Sequence, residues 1–173
     1  MVALARYRLV TILCLIAGQE ITASALVVFQ AFLKEVYMFD YTDLIGAPFI
    51  QDGRGDGGYD CYGLAKEVFH RFGKDIGEYW CCVDDKEKIN AIYRGAVANG
   101  KWREIDYKNG EQIPVPALIG LRFNAPAGVV NHTAVYIGDG KFIHTRNKIG
   151  VCVDYIHSIA WKRQIVGIYE FIG

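Results

Sequence analysis

The stretch that decides the fold is His132-Thr-Ala-Val-Tyr-Ile-Gly-Asp-Gly-Lys-Phe-Ile-His144. Two runs of β-branched and aromatic residues flank Gly138-Asp139-Gly140, which reads as a β-hairpin over Thr133–Ile137 and Lys141–Thr145. A register centred on Asp139 sets His132 opposite Arg146 and His144 opposite Ala134. The two imidazoles then become diagonal neighbours on one face. Further strands are expected at Ala117–Phe123, Val151–Tyr155 and Val166–Phe171, each bounded by turn residues.

Upstream, the pattern changes to helical spacing. Leu64, Ala65, Val68, Phe69 and Phe72 share one face of a helix that begins at Cys61, with Asp60 as N-cap and Gly73 as terminator. A second helix is expected over Asp85–Val97, capped by Asp84, with Ile89, Ile92, Tyr93 and Ala96 inward and a stop at Asn99-Gly100. Helices followed by an antiparallel sheet make an α+β domain. Between Tyr41 and Asp60 lie Gly46, Pro48, Gly53, Gly55, Gly57 and Gly58, the composition of an extended loop.

The chain has 173 residues, 52% of them hydrophobic, and its 19 basic residues balance 19 acidic ones. A chain of this length can bury about 70% of its unfolded surface, so its core needs no disulfide framework or structural metal. The balanced charge lacks the basic footprint of nucleic-acid binding, so no nucleic-acid partner is expected. The five cysteines are Cys14, Cys61, Cys81, Cys82 and Cys152, and none is spaced C-x-x-C, so free thiols are expected and no metal is implied. Gly53-x-Gly55-x-x-Gly58 matches a dinucleotide fingerprint by letters but follows no strand, and Asp52–Gly63 lacks the glutamate that closes a calcium loop. Arg54-Gly-Asp56 is likewise read as loop composition, the sequon Asn131-His-Thr133 is set aside because a glycan there would block a base at His132, and His70 and His157 are read as surface or packing residues.

Residues 1–37 differ from the remainder. Leu9–Gln19 and Ile21–Leu33 are uncharged and mostly apolar, interrupted by Glu20. Three readings compete. One is a secretory signal with Arg6 and Arg8 ahead of the apolar run and Ala23-Ser24-Ala25 as cleavage site, and another is a membrane anchor. The third is upstream sequence read in frame, because Lys34-Glu35-Val36 can be encoded AAG-GAG-GTN, a bacterial ribosome-binding sequence just before the Met38 codon. The domains are then 1–37 as leader and 38–173 as the functional unit. A start at Met38 gives a cytoplasmic product, virion-associated if it serves a phage. A signal peptide gives a secreted or periplasmic one, and membrane contact follows only if the apolar segment is retained uncleaved.

Cys61 is the first candidate for chemistry. A cysteine in the first turn of a helix meets unpaired N–H groups and the positive end of the dipole, which lower a thiol's pKa. A nucleophilic cysteine, a histidine base and a polar residue that orients the base are the parts of an acyl-transfer triad. Cys61, His132 and His144 supply them.

Gly46-Ala-Pro-Phe49, Gly58-Tyr-Asp-Cys61-Tyr-Gly-Leu64 and the His132–His144 hairpin occur in an order that resembles the NlpC-type cysteine peptidases, papain-like enzymes that cut bacterial cell-wall peptides. The similarity runs from about Asp40 to Phe171. It implies Cys61 as nucleophile, His132 as base, His144 as the orienting residue, no cofactor, and peptidoglycan stem peptides as substrate. Tyr62, where many cell-wall members have serine, and the short opening look more like the subgroup encoded with phage tail proteins, which implies tail proteins as partners. Tyr62, Phe49 and Asp60 are the candidates around the oxyanion and substrate loop, with the Cys61 and Tyr62 N–H groups as donors. Phe49 departs from the family, many of whose members carry tyrosine there, and Leu118-Ile119-Gly120-Leu121 replaces the usual Gly-Asp opening. The rival readings are a non-catalytic tail or envelope module, which Phe49 favours, and an amidase or acyltransferase with the same triad.

Overall fold

Six strands form one antiparallel sheet in the order β1-β6-β2-β3-β4-β5. In chain order the elements are α1 (Cys61–Arg71), α2 (Lys86–Ala98), β1 (Trp102–Glu104), β2 (Ala117–Leu121), β3 (His132–Gly138), β4 (Lys141–Arg146), β5 (Gly150–Tyr155), α3 (Ile159–Lys162) and β6 (Ile165–Phe171). The computed structural model describes residues 40–79 and 85–173. The leader read over 1–37, Cys14, Cys81, Cys82 and the Asp84 cap lie outside them. Among the described residues, no helix is long and apolar enough to cross a membrane.

The α+β architecture is as expected, and the hairpin keeps the anticipated register, with Val135 opposite Ile143 and Tyr136 opposite Phe142. Asp139 and Gly140 take φ values of 51° and 72°, the left-handed geometry that a tight turn between twisted strands requires. Each strand alternates its side chains between the sheet's two faces. Ala117, Ile119, Leu121, Ala134, Phe142 and Ile168 build the core on one face, together with Ile105, Ile156, Ile165 and Trp161 of α3. Thr133 and Leu118 point to the other face, where the Tyr93 hydroxyl of α2 meets Thr133 Oγ1 at 2.7 Å.

Helix α1 starts where Asp60 accepts a hydrogen bond from the Gly63 N–H at 2.5 Å. Its Leu64, Val68 and Phe69 are fully buried, each contributing about 1.5–3 kcal/mol from apolar area removed from water. Phe69 packs edge-on against Trp102, with ring centroids 5.6 Å apart. The glycine-rich loop folds back onto this helix start. A Cβ on Gly63 would lie 2.0 Å from the Gly53 carbonyl oxygen, and one on Gly58 2.3 Å from that of Pro48. Gly58 and Gly63 therefore serve close backbone approach.

Two details differ from the sequence reading. The cap of α2 is Asp85, which accepts from the Lys88 N–H at 2.9 Å, one residue later than expected. Strand β1 has no counterpart among the expected strands: its three residues pair with β6, Trp102 opposite Phe171, and have too little length to show a period.

Candidate active site

The start of β3 is held by Asn131. Its amide accepts from the Phe123 N–H at 2.6 Å and donates to the Phe123 carbonyl at 2.8 Å, which sets the Phe123 ring 4.7 Å from that of His132. Phe142 and Trp161 wall His144, with centroids 5.1 and 4.8 Å away. His144 is wholly buried and His132 nearly so.

The rings meet as the register requires: His132 Nε2 lies 3.4 Å from His144 Nδ1. On its far side, His144 Nε2 is 3.2 Å from Asp154 Oδ2 and 3.3 Å from Cys152 Sγ. Those partners follow from β4 and β5, in which His144 faces Cys152 and Phe142 faces Asp154. A carboxylate only accepts, so Nε2 of His144 carries the proton toward Asp154 and Nδ1 is left as an acceptor. His132 then donates through Nε2, and its Nδ1 holds the free lone pair. Asp154 thereby sets the tautomer of a ring it does not touch.

Cys61 comes to the same end of β3. Its thiol meets the backbone N–H and hydroxyl of Thr133, the residue after His132, and the backbone N–H of Tyr62. Among the described residues the His132 ring bonds through Nε2 to His144, and no hydrogen bond joins it to the Cys61 thiol. Catalytic thiol–imidazole contacts often tighten only when substrate binds.

The thiol's acidity corrects the expectation from helix position. Burial, helped by the Asp60 charge, pushes Cys61 up to about 11 against the pull of the Thr133 and Tyr62 donors. Desolvation outweighs the helix terminus because the charged sulfur would lose its water. Burial likewise brings His132 down to about 3, with the charges of His144 and Arg146 adding to it. His144 is brought to about 4 by burial, opposed by its bond to Asp154. At neutral pH the site holds a neutral thiol beside neutral imidazoles.

The three loop candidates separate. The Tyr62 N–H reaches the thiol, while its hydroxyl is taken by the Ile76 and Gly77 carbonyls at 3.2 and 3.3 Å. Asp60 is a structural anchor rather than part of an oxyanion site: it caps α1 and pairs with Arg54 at 2.6 Å, and its negative charge opposes any oxyanion beside Cys61. Arg54 also reaches Glu78 at 2.9 Å, so the arginine of the Arg-Gly-Asp letters is engaged in ion pairs within the domain. Phe49 is half-buried, bridged in parallel to Tyr59, and has no group to donate.

Residues 46–170 match the NlpC/P60 family. The chain belongs to that family. Among solved structures, an NlpC/P60 family protein from Bacillus cereus is 21% identical with a TM-score of 0.55, covering 76% of this chain and 38% of its own. A lipoprotein-like NLP/P60 family protein from Staphylococcus aureus is 22% identical with a TM-score of 0.51, at the same coverages of 76% and 38%. NlpC2 from Trichomonas vaginalis is 16% identical with a TM-score of 0.52, covering 75% of this chain and 44% of its own. These likenesses show the NlpC/P60 fold, and the chain spans less than half the length of these relatives. No match is found among curated proteins.

Sequence reasoning missed Asp154, Cys152 and Asn131. The alternation Val151-Cys-Val-Asp154 could have placed Cys152 and Asp154 on one face, but only the register against β4 shows that this face is that of His144.

Proposed function

We propose that this NlpC/P60 protein is a thiol hydrolase that cleaves an amide bond in a peptidoglycan stem peptide, with Cys61 as nucleophile. The observation that carries the reading is the line Asp154–His144–His132, which ends at the strand terminus where the Cys61 thiol sits. As Sγ attacks the carbonyl carbon, its proton passes to His132 Nδ1 and the carbonyl oxygen becomes an oxyanion facing the Tyr62 N–H. His132 then gives the proton to the leaving amine, and the thioester forms. Water, deprotonated by His132, attacks the thioester carbonyl and releases the acid and the free thiol. Family membership supports the cell-wall substrate, since its members are typically peptidoglycan hydrolases. Tyr62 and the short opening before the nucleophile support a tail-associated member.

A second reading makes Cys152 the nucleophile, favoured by its 3.3 Å contact with His144 Nε2. That nitrogen already carries the proton shared with Asp154, so it is poorly placed to accept another, and Cys152 lies within a strand without a helix terminus beside it. Digestion of purified muropeptides, followed by mass spectrometry, separates the readings. Cys61→Ala should abolish cleavage while Cys152→Ala retains it. The reverse pattern would transfer the nucleophile to Cys152. Binding of muropeptides without cleavage by the unmodified protein would favour the non-catalytic module.

A further inference from the structure

We propose that His144, Cys152 and Asp154 bind a thiophilic divalent cation, Zn²⁺ foremost, and that its binding switches the Cys61 site off. The inhibitory half rests on the function proposed above, whereas the binding half stands independently of it.

The donor atoms are His144 Nε2, Cys152 Sγ and Asp154 Oδ2, with Nε2 3.2 Å from the oxygen and 3.3 Å from the sulfur. A tetrahedral zinc ion, bonded at about 2.0 Å to nitrogen and oxygen and about 2.3 Å to sulfur, needs donors about 3.3 Å apart for N and O and about 3.5 Å for N and S. Two of the three edges are therefore close to their bound lengths. All three atoms lie within 4.8 Å of one another, and rotation of the partly exposed Asp154 carboxylate can close the third edge. Paired strands β4 and β5 supply all three ligands, a more rigid frame than a loop.

The donor chemistry selects the ion. One imidazole, one thiolate and one carboxylate suit zinc or cobalt better than the all-oxygen shells of magnesium and calcium. Thiolate and carboxylate together balance a dication, and binding releases the Cys152 proton to solvent. The Arg146 charge reaches this cluster as well, opposing the cation while favouring the thiolate. Phe142 and Trp161 close the inner side of the imidazole, whereas Cys152 and Asp154 lie on the edge strand β5 and are only partly buried, so water can supply the fourth ligand.

Occupancy reverses the tautomer line. A metal on His144 Nε2 requires that ring's proton to sit on Nδ1, which faces His132 Nε2. His132 must then accept there and carry its own proton on Nδ1. The nitrogen meant to receive the Cys61 proton is thereby filled, without any contact between metal and nucleophile.

The test is titration of the full chain with Co²⁺, read by its near-ultraviolet thiolate charge-transfer and visible tetrahedral bands, and with Zn²⁺, read by equilibrium dialysis and muropeptide cleavage. One ion per chain is expected, lost in Cys152→Ser and Asp154→Asn and kept in Cys61→Ala. Measured against its own metal-free rate, Cys152→Ser should need at least about tenfold more Zn²⁺ for half-inhibition. Cobalt bands that survive Cys152→Ser, or disappear in Cys61→Ala, would overturn the site. Unchanged zinc sensitivity in Cys152→Ser would overturn the switch. If the unmodified protein cleaves nothing, the cobalt and dialysis arms still decide the binding half, so failure of the proposed activity stays distinguishable from failure of the site.

Discussion

Cys61 Sγ must lose its proton in attacking a carbonyl. Burial that holds this thiol near 11 and His132 near 3 means that no ion pair waits in the resting site, so proton transfer accompanies attack. Alkylation by iodoacetamide is the direct check. Cys61 should react at pH 6 more slowly than an ordinary exposed cysteine, and its rate should still be climbing above about pH 9, where an ordinary thiol levels off; fast labelling at pH 6 would instead show a preformed thiolate. A second expectation concerns Asp154, which acts on Cys61 only through two rings. Asp154→Ala should lower kcat about 10–100-fold with KM little changed, because the lost interaction orients the base rather than binding substrate. Asp154→Asn should recover part of that loss, since an amide oxygen still accepts the His144 Nε2 proton. Equal kcat in all three proteins would remove Asp154 from the line.

Helix α1 positions the nucleophile, and its first turn is constrained by close backbone approach as well as by the Asp60 cap. A methyl group at Gly63 would meet the Gly53 carbonyl at 2.0 Å, so the loop or the helix start would have to move. Gly63→Ala should cost about 2–4 kcal/mol in thermal or urea unfolding and disturb Cys61 two residues away. Gly95 provides the opposite case. It lies in the exposed interior of α2, where an added methyl group would have nothing within 4 Å, and Gly95→Ala should stabilise by about 0.5–1 kcal/mol. These elements also show what the sequence reveals. Helix α1, its Asp60 cap and the β3–β4 register are legible because each is set by residues within about a dozen positions: apolar spacing, a capping side chain, a turn that demands left-handed φ. Strand β1 is not legible, because Trp102 becomes a strand residue only by pairing with Phe171. Cys152 and Asp154 escape notice for a related reason. Their strand is expected, but its contribution to the site depends on cross-strand alignment with His144, which local pattern does not encode.

At the scale of the whole molecule, the buried histidine pair links the catalytic line to acid stability. Unfolded, His132 and His144 take up protons near pH 6.5; folded, they do so only near 3 and 4, because burial disfavours the charged rings. Between those limits the unfolded chain binds more protons than the folded one, so stability rises with pH. It is fully present above about pH 6.5 and is lost as pH falls toward the folded values, with a slope of at most about 1.4 kcal/mol per pH unit for each histidine. Carboxylates add to the trend only at lower pH: hydrogen bonds from Arg71 hold the exposed Asp43 below its ordinary value, and those from Arg103 do the same for the partly exposed Glu111. The window from pH 5 to 6.5 therefore isolates the histidines. Urea unfolding across it should show a falling midpoint toward acid in the unmodified protein. Replacing His132 and His144 together by glutamine should flatten that slope, whatever the double variant's stability at pH 7. A slope that persists in the His132/His144 variant would mean that the two rings ionise in the folded state as readily as in the unfolded one, and that the neutral resting site drawn from their burial is wrong.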